Sequence, residues 1–150
     1  PRPGPRPLNV DPVAQARDLA AAAPTLEALK AAISGFTGCP LHAAARTAVM
    51  SDGAARAPVM LIGEAPGQEE DKQGLPFVGP AGQLLDKMLA SVGLSRRSNL
   101  YVTNLIYWRP PQNRDPTPEE IAVCAPFLLR QIELVRPKLI VTAGRIAAQT

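Results

Sequence analysis

Cysteine is nearly missing from this chain: two residues, Cys39 and Cys124, in 150. Far apart and without a leader segment, two thiols exclude the disulfide framework of a small secreted domain. On composition alone they read as small, half-buried apolar side chains. Long apolar runs are missing as well. None approaches the ~20 residues needed to cross a bilayer, so no membrane partner is expected. No basic-then-apolar segment opens the sequence, and a cytoplasmic protein is expected. No sign of charge dominates: 16 Lys and Arg against 13 Asp and Glu leave a net +3. The distribution says slightly more. From Gly93 onward eight basic residues stand against four acidic ones, and Arg109 and Arg114 sit in a Pro-rich loop. That half suits contact with phosphate backbones, although solvated surface arginines account for the charge equally well.

What is present is an ordinary globular composition, 46% apolar and 19% charged, in a length that fits one domain with a real core. The 17 prolines and 11 glycines act as punctuation. "PRPGPRPL" admits neither helix nor central strand, so residues 1–10 read as a disordered tail ahead of a domain over 11–150. Asp11 with Pro12 and then Thr25 start two Ala-rich helices. Residues 36–57 read as irregular. "APVMLIG" reads as a buried strand, and "NLYVTNLIYW" and "KLIVTAG" as a second and a third strand. Between the first two, "DKQGLPFVGPAG" reads as a long loop. "GQLLDKMLASVGL" follows as a helix with Leu84, Leu85, Met88, Leu89 and Val92 on one face. Before the third strand, Thr117, Pro118 and Glu120 form a capping-box start to a helix that carries Pro126. "RIAAQT" reads as the start of another helix. Because the chain begins at Pro1 and stops inside that helix, it reads as a fragment.

Strand and helix in alternation predict an α/β fold, a parallel sheet between helical layers. In such sheets ligands bind beyond the carboxyl ends of the strands. "GEAPG", "TN" with "WRPPQNR", and "AGR" lie there. The first is no Walker loop, since the Gly-Lys-Ser/Thr ending is absent, and its glycine spacing is wrong for a dinucleotide fingerprint. Glu64 can polarise a water or stabilise a developing cation; equally, it can cap the next helix. Glu69, Glu70 and Asp71 read as a solvated face. Phe77 either stacks on a planar base or plugs the loop onto the core. Asn104 offers a donor and an acceptor together, as a pyrimidine edge requires, or else forms a turn. Arg109 and Arg114 either hold phosphates or brace their loop.

From about Cys39 to the end, "GEAPGQEEDKQGLPFVGPAGQLLDKML", "YVTNLIYWRPPQNRDPTPEE" and "FLLRQIELVRPKLIVTAGRIAAQ" resemble the fourth, iron–sulfur family of uracil-DNA glycosylases. The order and spacing of the three segments are specific, whereas each alone is weak. The resemblance implies a three-layer αβα fold around a four-stranded parallel sheet. It implies a monomeric DNA-repair hydrolase that flips uracil out of uracil-containing DNA and hydrolyses its N-glycosidic bond. It implies that Glu64 lies in the water-activating motif, that Gly63, Ala65 and Gly67 line the base pocket, that Phe77 stacks on uracil and that Asn104 reads its edge.

Two departures qualify these implications. The family holds a [4Fe–4S] cluster with four cysteines. Cys39 and Cys124 match two of them, while Phe36 and Trp108 stand at the other two positions. Two thiolates do not make the usual four-iron site. No cofactor is therefore expected, and Phe36 and Trp108 are expected to fill the space by packing. The family's last motif, with its His-Pro pair and leucine loop, is also missing, and the single histidine, His42, lies far upstream. A weak or inactive catalyst is expected of this segment by itself. The alternatives are a non-catalytic uracil- or DNA-binding module of the same fold, and a binder of free nucleotides.

Overall fold

The computed structural model describes residues 11–144. The Pro-rich tail expected over 1–10 and the helix start expected over 145–150 lie outside the described residues. In chain order the elements are α1 (Pro12–Ala22), α2 (Leu26–Ser34), β1 (Ser51–Gly53), β2 (Val59–Gly63), α3 (Gln68–Gln73), α4 (Pro80–Ala90), β3 (Leu100–Asn104), α5 (Pro118–Val135) and β4 (Leu139–Thr142). Short 3-10 turns cover Pro40–Ala43 and Pro111–Asn113.

The helix starts follow local chemistry. Asp11 Oδ1 accepts from the Val13 N–H at 3.0 Å, and Thr25 Oγ1 accepts from the Ala28 N–H at 3.1 Å. At α5 the capping box closes in both directions. Thr117 Oγ1 accepts from the Glu120 N–H at 3.2 Å, and Glu120 Oε1 accepts from the Thr117 N–H at 2.9 Å. The helix then runs through Pro126 as one element.

The sheet has the order β1-β3-β2-β4. β2 pairs in parallel with β3 on one side and β4 on the other, with Gly63 opposite Asn104. Its alternating side chains feed two cores. Met60, Ile62 and Tyr101 join the larger cluster with Ala16 and Ala20 of α1, Leu29 and Ile33 of α2, and Phe127 of α5. Leu61, Leu100 and Val102 face the other way, toward Phe77 and toward Leu85 and Leu89 of α4. The expected helix–sheet–helix layering is present. β1 corrects the reading of 36–57 as irregular. Ser51, Asp52 and Gly53 pair antiparallel with Thr103, Val102 and Tyr101, so the sheet is mixed at this edge. Three residues without apolar alternation carry no strand signal of their own; β3 imposes the pairing.

Two other elements also differ from the sequence reading. The stretch Gln68–Gln73 is helical and ends at Gly74, whose φ of 77° suits glycine. On α4 only Leu85 and Leu89 pack toward the sheet, while Leu84 and Met88, and Val92 just past the helix end, are exposed. The apolar face predicted for this helix is therefore only half used in the described residues.

One buried polar chain ties β3 to α5. Tyr101 Oη donates to Gln131 Oε1 at 2.7 Å, and Gln131 Nε2 donates to Tyr107 Oη at 2.9 Å. Burial pushes the phenol pKa of both tyrosines up, so both stay protonated. Gln131→Leu strips partners from both hydroxyls and is expected to cost about 1–3 kcal/mol of stability. Adding Tyr101→Phe should recover part of that loss, because one orphaned hydroxyl is then gone. Urea denaturation of the three variants measures both numbers.

Candidate functional site

β2 ends at Gly63, and three loops gather beyond it. The chain after β3 is pinned to the first loop: the Leu105 N–H donates to Gly63 O at 2.9 Å and the Ile106 N–H to Glu64 O at 3.2 Å. The chain after β4 is pinned as well, with the Ala143 N–H donating to Ile62 O at 2.8 Å. The backbone is therefore ordered before any side chain is considered.

Three of the predicted site residues meet here. A Cβ at Gly63 would collide with the Phe77 ring on one side and with Asn104 Oδ1 on the other. The ring, the carboxamide and the bare Cα thus converge on one spot. Asn104 is 3% exposed, and among the described residues no hydrogen bond reaches its carboxamide. Leaving such a group dry and unpartnered is costly, so an outside partner with a complementary edge is favoured there. Glu64 turns toward β4 instead. Its carboxylate lies against Gly144, where a Cβ would fall 2.6 Å from Oε2. Ala65 packs against the larger core cluster. Gly67 starts α3 and comes close to Asn113 of the Pro-rich loop.

Phe77 is held in an unusual backbone conformation. Its φ is 55°, the left-handed region that bulky residues rarely enter. Such a conformation costs on the order of 1–3 kcal/mol and persists only where the surroundings impose it. Gly82 in the first turn of α4 is one such constraint, because a Cβ there would collide with the Phe77 backbone. The flanking peptides are held too. Glu70 Oε2 accepts from the N–H groups of Val78 at 2.9 Å and Gly79 at 2.8 Å, while Oε1 accepts from the Gly67 N–H at 3.0 Å. One carboxylate therefore latches the loop after β2 to the loop that bears Phe77. Asp71 does the same for the 40–48 loop, accepting from the Arg46 N–H at 2.9 Å and the Thr47 N–H at 3.2 Å. These two acids correct the reading of 69–71 as a solvated face. Apart from Gly67, their partners lie 8 to 25 residues away, which local pattern does not reveal.

Arg109 and Arg114 brace their loop. Arg109 Nε donates to Asn113 Oδ1 at 2.8 Å. Arg114 forms a fork with both oxygens of Glu120, at 2.9 and 2.8 Å. That hydrogen-bonded guanidinium is the chief reason the Glu120 carboxyl lies below its ordinary value. Nearby, Cys39 and Cys124 are both fully buried, and their mutual interaction is the chief cause that holds the Cys39 thiol below its ordinary value and pushes the Cys124 thiol up. Phe36 and Trp108 belong to the same buried cluster as the two thiols. The Phe36 ring lies edge-on to Phe127 at 5.2 Å and tilted to Trp108 at 6.3 Å. Among the described residues no group of three or more His, Cys, Asp and Glu side chains is arranged to hold a metal ion. His42, the lone imidazole, contacts Cys39 O through Nδ1 at 2.8 Å.

Burial raises the Glu70 carboxyl, but the N–H groups of Gly79, Glu70 itself, Val78 and Gly67 together outweigh it and leave the group below its ordinary value. A depressed folded pKa stabilises the protein fully above the unfolded pKa, and this contribution fades as pH falls through the folded one. Acidification below about pH 4.3 is therefore expected to release the Phe77 loop. Glu70→Gln should lower stability at neutral pH by about 1–2 kcal/mol, a value reduced by solvent screening, and flatten the acid limb of the melting profile. Thermal melts of the two proteins between pH 3 and 7 check both effects.

Comparison with known proteins places the chain in a family. Residues 50–150 match the model of the uracil DNA glycosylase superfamily. A type-4 uracil-DNA glycosylase of Archaeoglobus fulgidus is 52% identical over 111 residues, 74% of this chain and 55% of that protein. Another from Thermotoga maritima is 44% identical over 122 residues, 81% of this chain and 63% of that protein. A type-5 uracil-DNA glycosylase of Pyrobaculum aerophilum is 34% identical over 103 residues, 59% of this chain and 45% of that protein. The chain spans about half to two thirds of the length of the type-4 relatives. With its model matched across two thirds of the sequence and its strand-end loops gathered around Gly63, the chain belongs to the uracil-DNA glycosylase superfamily.

Proposed function

We propose that this chain carries the base-recognition part of a DNA-repair hydrolase that excises uracil from DNA. One observation carries the reading: a buried Asn104 carboxamide, without a hydrogen-bond partner among the described residues, and the Phe77 ring meet at the Cβ-less end of β2. Uracil offers a ring face to the aromatic side chain. It also offers a carbonyl and an N–H side by side, which an oriented amide can satisfy together. Cytosine places an exocyclic amine where uracil has that carbonyl, so the same amide rejects it. The base leaves the duplex, its glycosidic bond loosens and the sugar gains cationic character. A water held near Glu64 then adds to the sugar and completes hydrolysis. Backbone around Gly63, Ala65 and Gly67 lines the pocket, and uracil-containing DNA is the partner of a monomer.

A non-catalytic uracil- or DNA-binding module is the second reading. It is favoured by one observation: the sole imidazole of the sequence, His42, is engaged through Nδ1 with the Cys39 carbonyl. Alkali-labile sites on uracil-containing single- and double-stranded oligonucleotides support the hydrolase. Retention of the same oligonucleotides without cleavage supports the module. In either case Asn104→Ala is expected to weaken uracil-specific binding or excision by on the order of a hundredfold, while binding to undamaged DNA is unchanged. Equal loss for both DNAs would sink the base-reading role.

The same reading includes no iron–sulfur cluster. A four-iron cluster needs four suitable ligands. Here Cys39 and Cys124 share their surroundings with the rings of Phe36 and Trp108, so the donor set does not fit the group, and no step runs through it. Purified protein is expected to lack stoichiometric iron and the broad visible absorption of a cluster. Phe36→Ala should cost about 3–5 kcal/mol, as for other buried aromatics, by denaturant titration. Iron at four atoms per chain, or a negligible cost of that substitution, overturns the assignment.

A further inference from the structure

Arg96 lies in the connection between α4 and β3, outside every motif singled out above, yet its guanidinium ends at the Phe77 loop. Its surroundings are built with unusual care. Asn99 Oδ1 accepts from the Ser95 N–H at 2.8 Å, and Asn99 Nδ2 donates to Gly93 O at 2.9 Å, so the turn that carries Arg96 is itself braced. Two carboxylates from separate elements then orient the fork. Nε donates to Asp86 Oδ1 of α4 at 3.1 Å, and Nη1 donates to Asp52 Oδ2 of β1 at 3.1 Å. The remaining donors reach the loop backbone. Nη1 donates to Pro76 O at 2.7 Å and Nη2 to Phe77 O at 2.6 Å. The side chain is only 13% exposed.

We propose that Arg96 is a positioning residue: by gripping the Pro76 and Phe77 carbonyls it holds Phe77 in its left-handed backbone conformation and so fixes the ring beside Gly63 and Asn104. The inference deepens the base-recognition reading and rests on it. The chain of causes is short. A φ of 55° at phenylalanine relaxes to an extended or helical value unless something holds it. Gly82 provides the space, and Glu70 holds the amides that follow the residue. Arg96 is the group that takes the Phe77 carbonyl itself. A planar guanidinium with five donors can serve two carboxylates and two carbonyls at once; a lysine ammonium has three donors on a point charge and cannot.

The test compares Arg96→Ala, Arg96→Lys and Phe77→Ala with the unaltered protein. Three readouts are used: affinity for a uracil-containing oligonucleotide, amide hydrogen exchange over residues 74–80, and rescue by millimolar methylguanidinium. Arg96→Ala is expected to weaken uracil-specific affinity on the order of tenfold or more, as a displaced binding group does. It should also speed exchange at Val78 and Gly79, and both effects should be partly reversed by methylguanidinium. Arg96→Lys should fall between the unaltered protein and Arg96→Ala. If excision is measurable, the loss should appear in KM before kcat. Should Arg96→Ala fold poorly, Asp86→Asn, which removes one of the two orienting carboxylates, should show a smaller loss of the same kind. Unchanged exchange over 74–80 in Arg96→Ala, or faster exchange with unchanged affinity while Phe77→Ala loses affinity, overturns the positioning role. Unchanged affinity in Phe77→Ala would instead remove the stacking role on which the inference rests.

Discussion

A side chain at residue 63 would fill the place where the Phe77 ring and the Asn104 carboxamide come together. Everything else at the strand ends is arranged around that missing Cβ. β2 is flanked in parallel by β3 and β4; the pairing with β4 reaches Ile62, and that with β3 continues to Gly63. Gly63 pairs with Asn104 in the same register. The register that buries Leu61 and Val102 on one face and Met60 and Tyr101 on the other therefore also sets the carboxamide next to the glycine. A slip of one residue would invert every strand side chain and separate the two. Sheet packing and site geometry are thus one constraint.

The loops above the sheet are held by charge rather than by apolar contact. Glu70 and Asp71 accept backbone N–H groups from three other segments, and Arg96 takes two backbone carbonyls. Backbone groups in an irregular loop have no neighbouring strand to pair with, and leaving them dry is costly. Charged side chains satisfy them at shorter distances and with more strength than neutral ones. The acceptors serve amides, and the guanidinium serves carbonyls. Phe77 sits between the two kinds of clamp, which is how a strained backbone can persist there.

Much of this was legible in the sequence, and the limits have a physical cause. Thr117, Pro118 and Glu120 announced α5 because a capping box is local, complete within four residues. The strands β2, β3 and β4 were visible as short apolar runs between turn residues. Gly63 and Asn104 were placed at strand ends by the sheet pattern, whereas Phe77, in a long loop, was joined to them only through the family resemblance. Three features were not visible. β1 is three residues long and exists only because β3 lends it a partner. Glu70 and Asp71 looked like surface acids because their partners are distant in the chain. Arg96 carried no motif at all; its role comes from Asp52, Asp86, Pro76 and Phe77 meeting in space. Periodicity reports which face of an element is buried, but it cannot report which far-off loop a charged tip will reach.

A network of aromatic rings and a metal cluster would hold the 36–45 segment in different ways. A cluster constrains it through directional bonds at fixed distances, largely independent of the surrounding core. The rings of Phe36, Trp108, Tyr107 and Phe127 constrain it through close packing, each dependent on its neighbours being in place. Phe36 and Phe127 also belong to the core that α1, α2 and α5 form on the sheet. Loop order in this chain is then coupled to the integrity of that core. Asp71 extends the coupling, because it ties the 40–48 segment to α3, and Glu70 on the same helix ties α3 to the Phe77 loop. A disturbance of the ring network has a continuous physical route to the Phe77 ring through groups that each have named partners. On the proposed reading without a cluster, hydrophobic packing makes loop and core answer to the same forces.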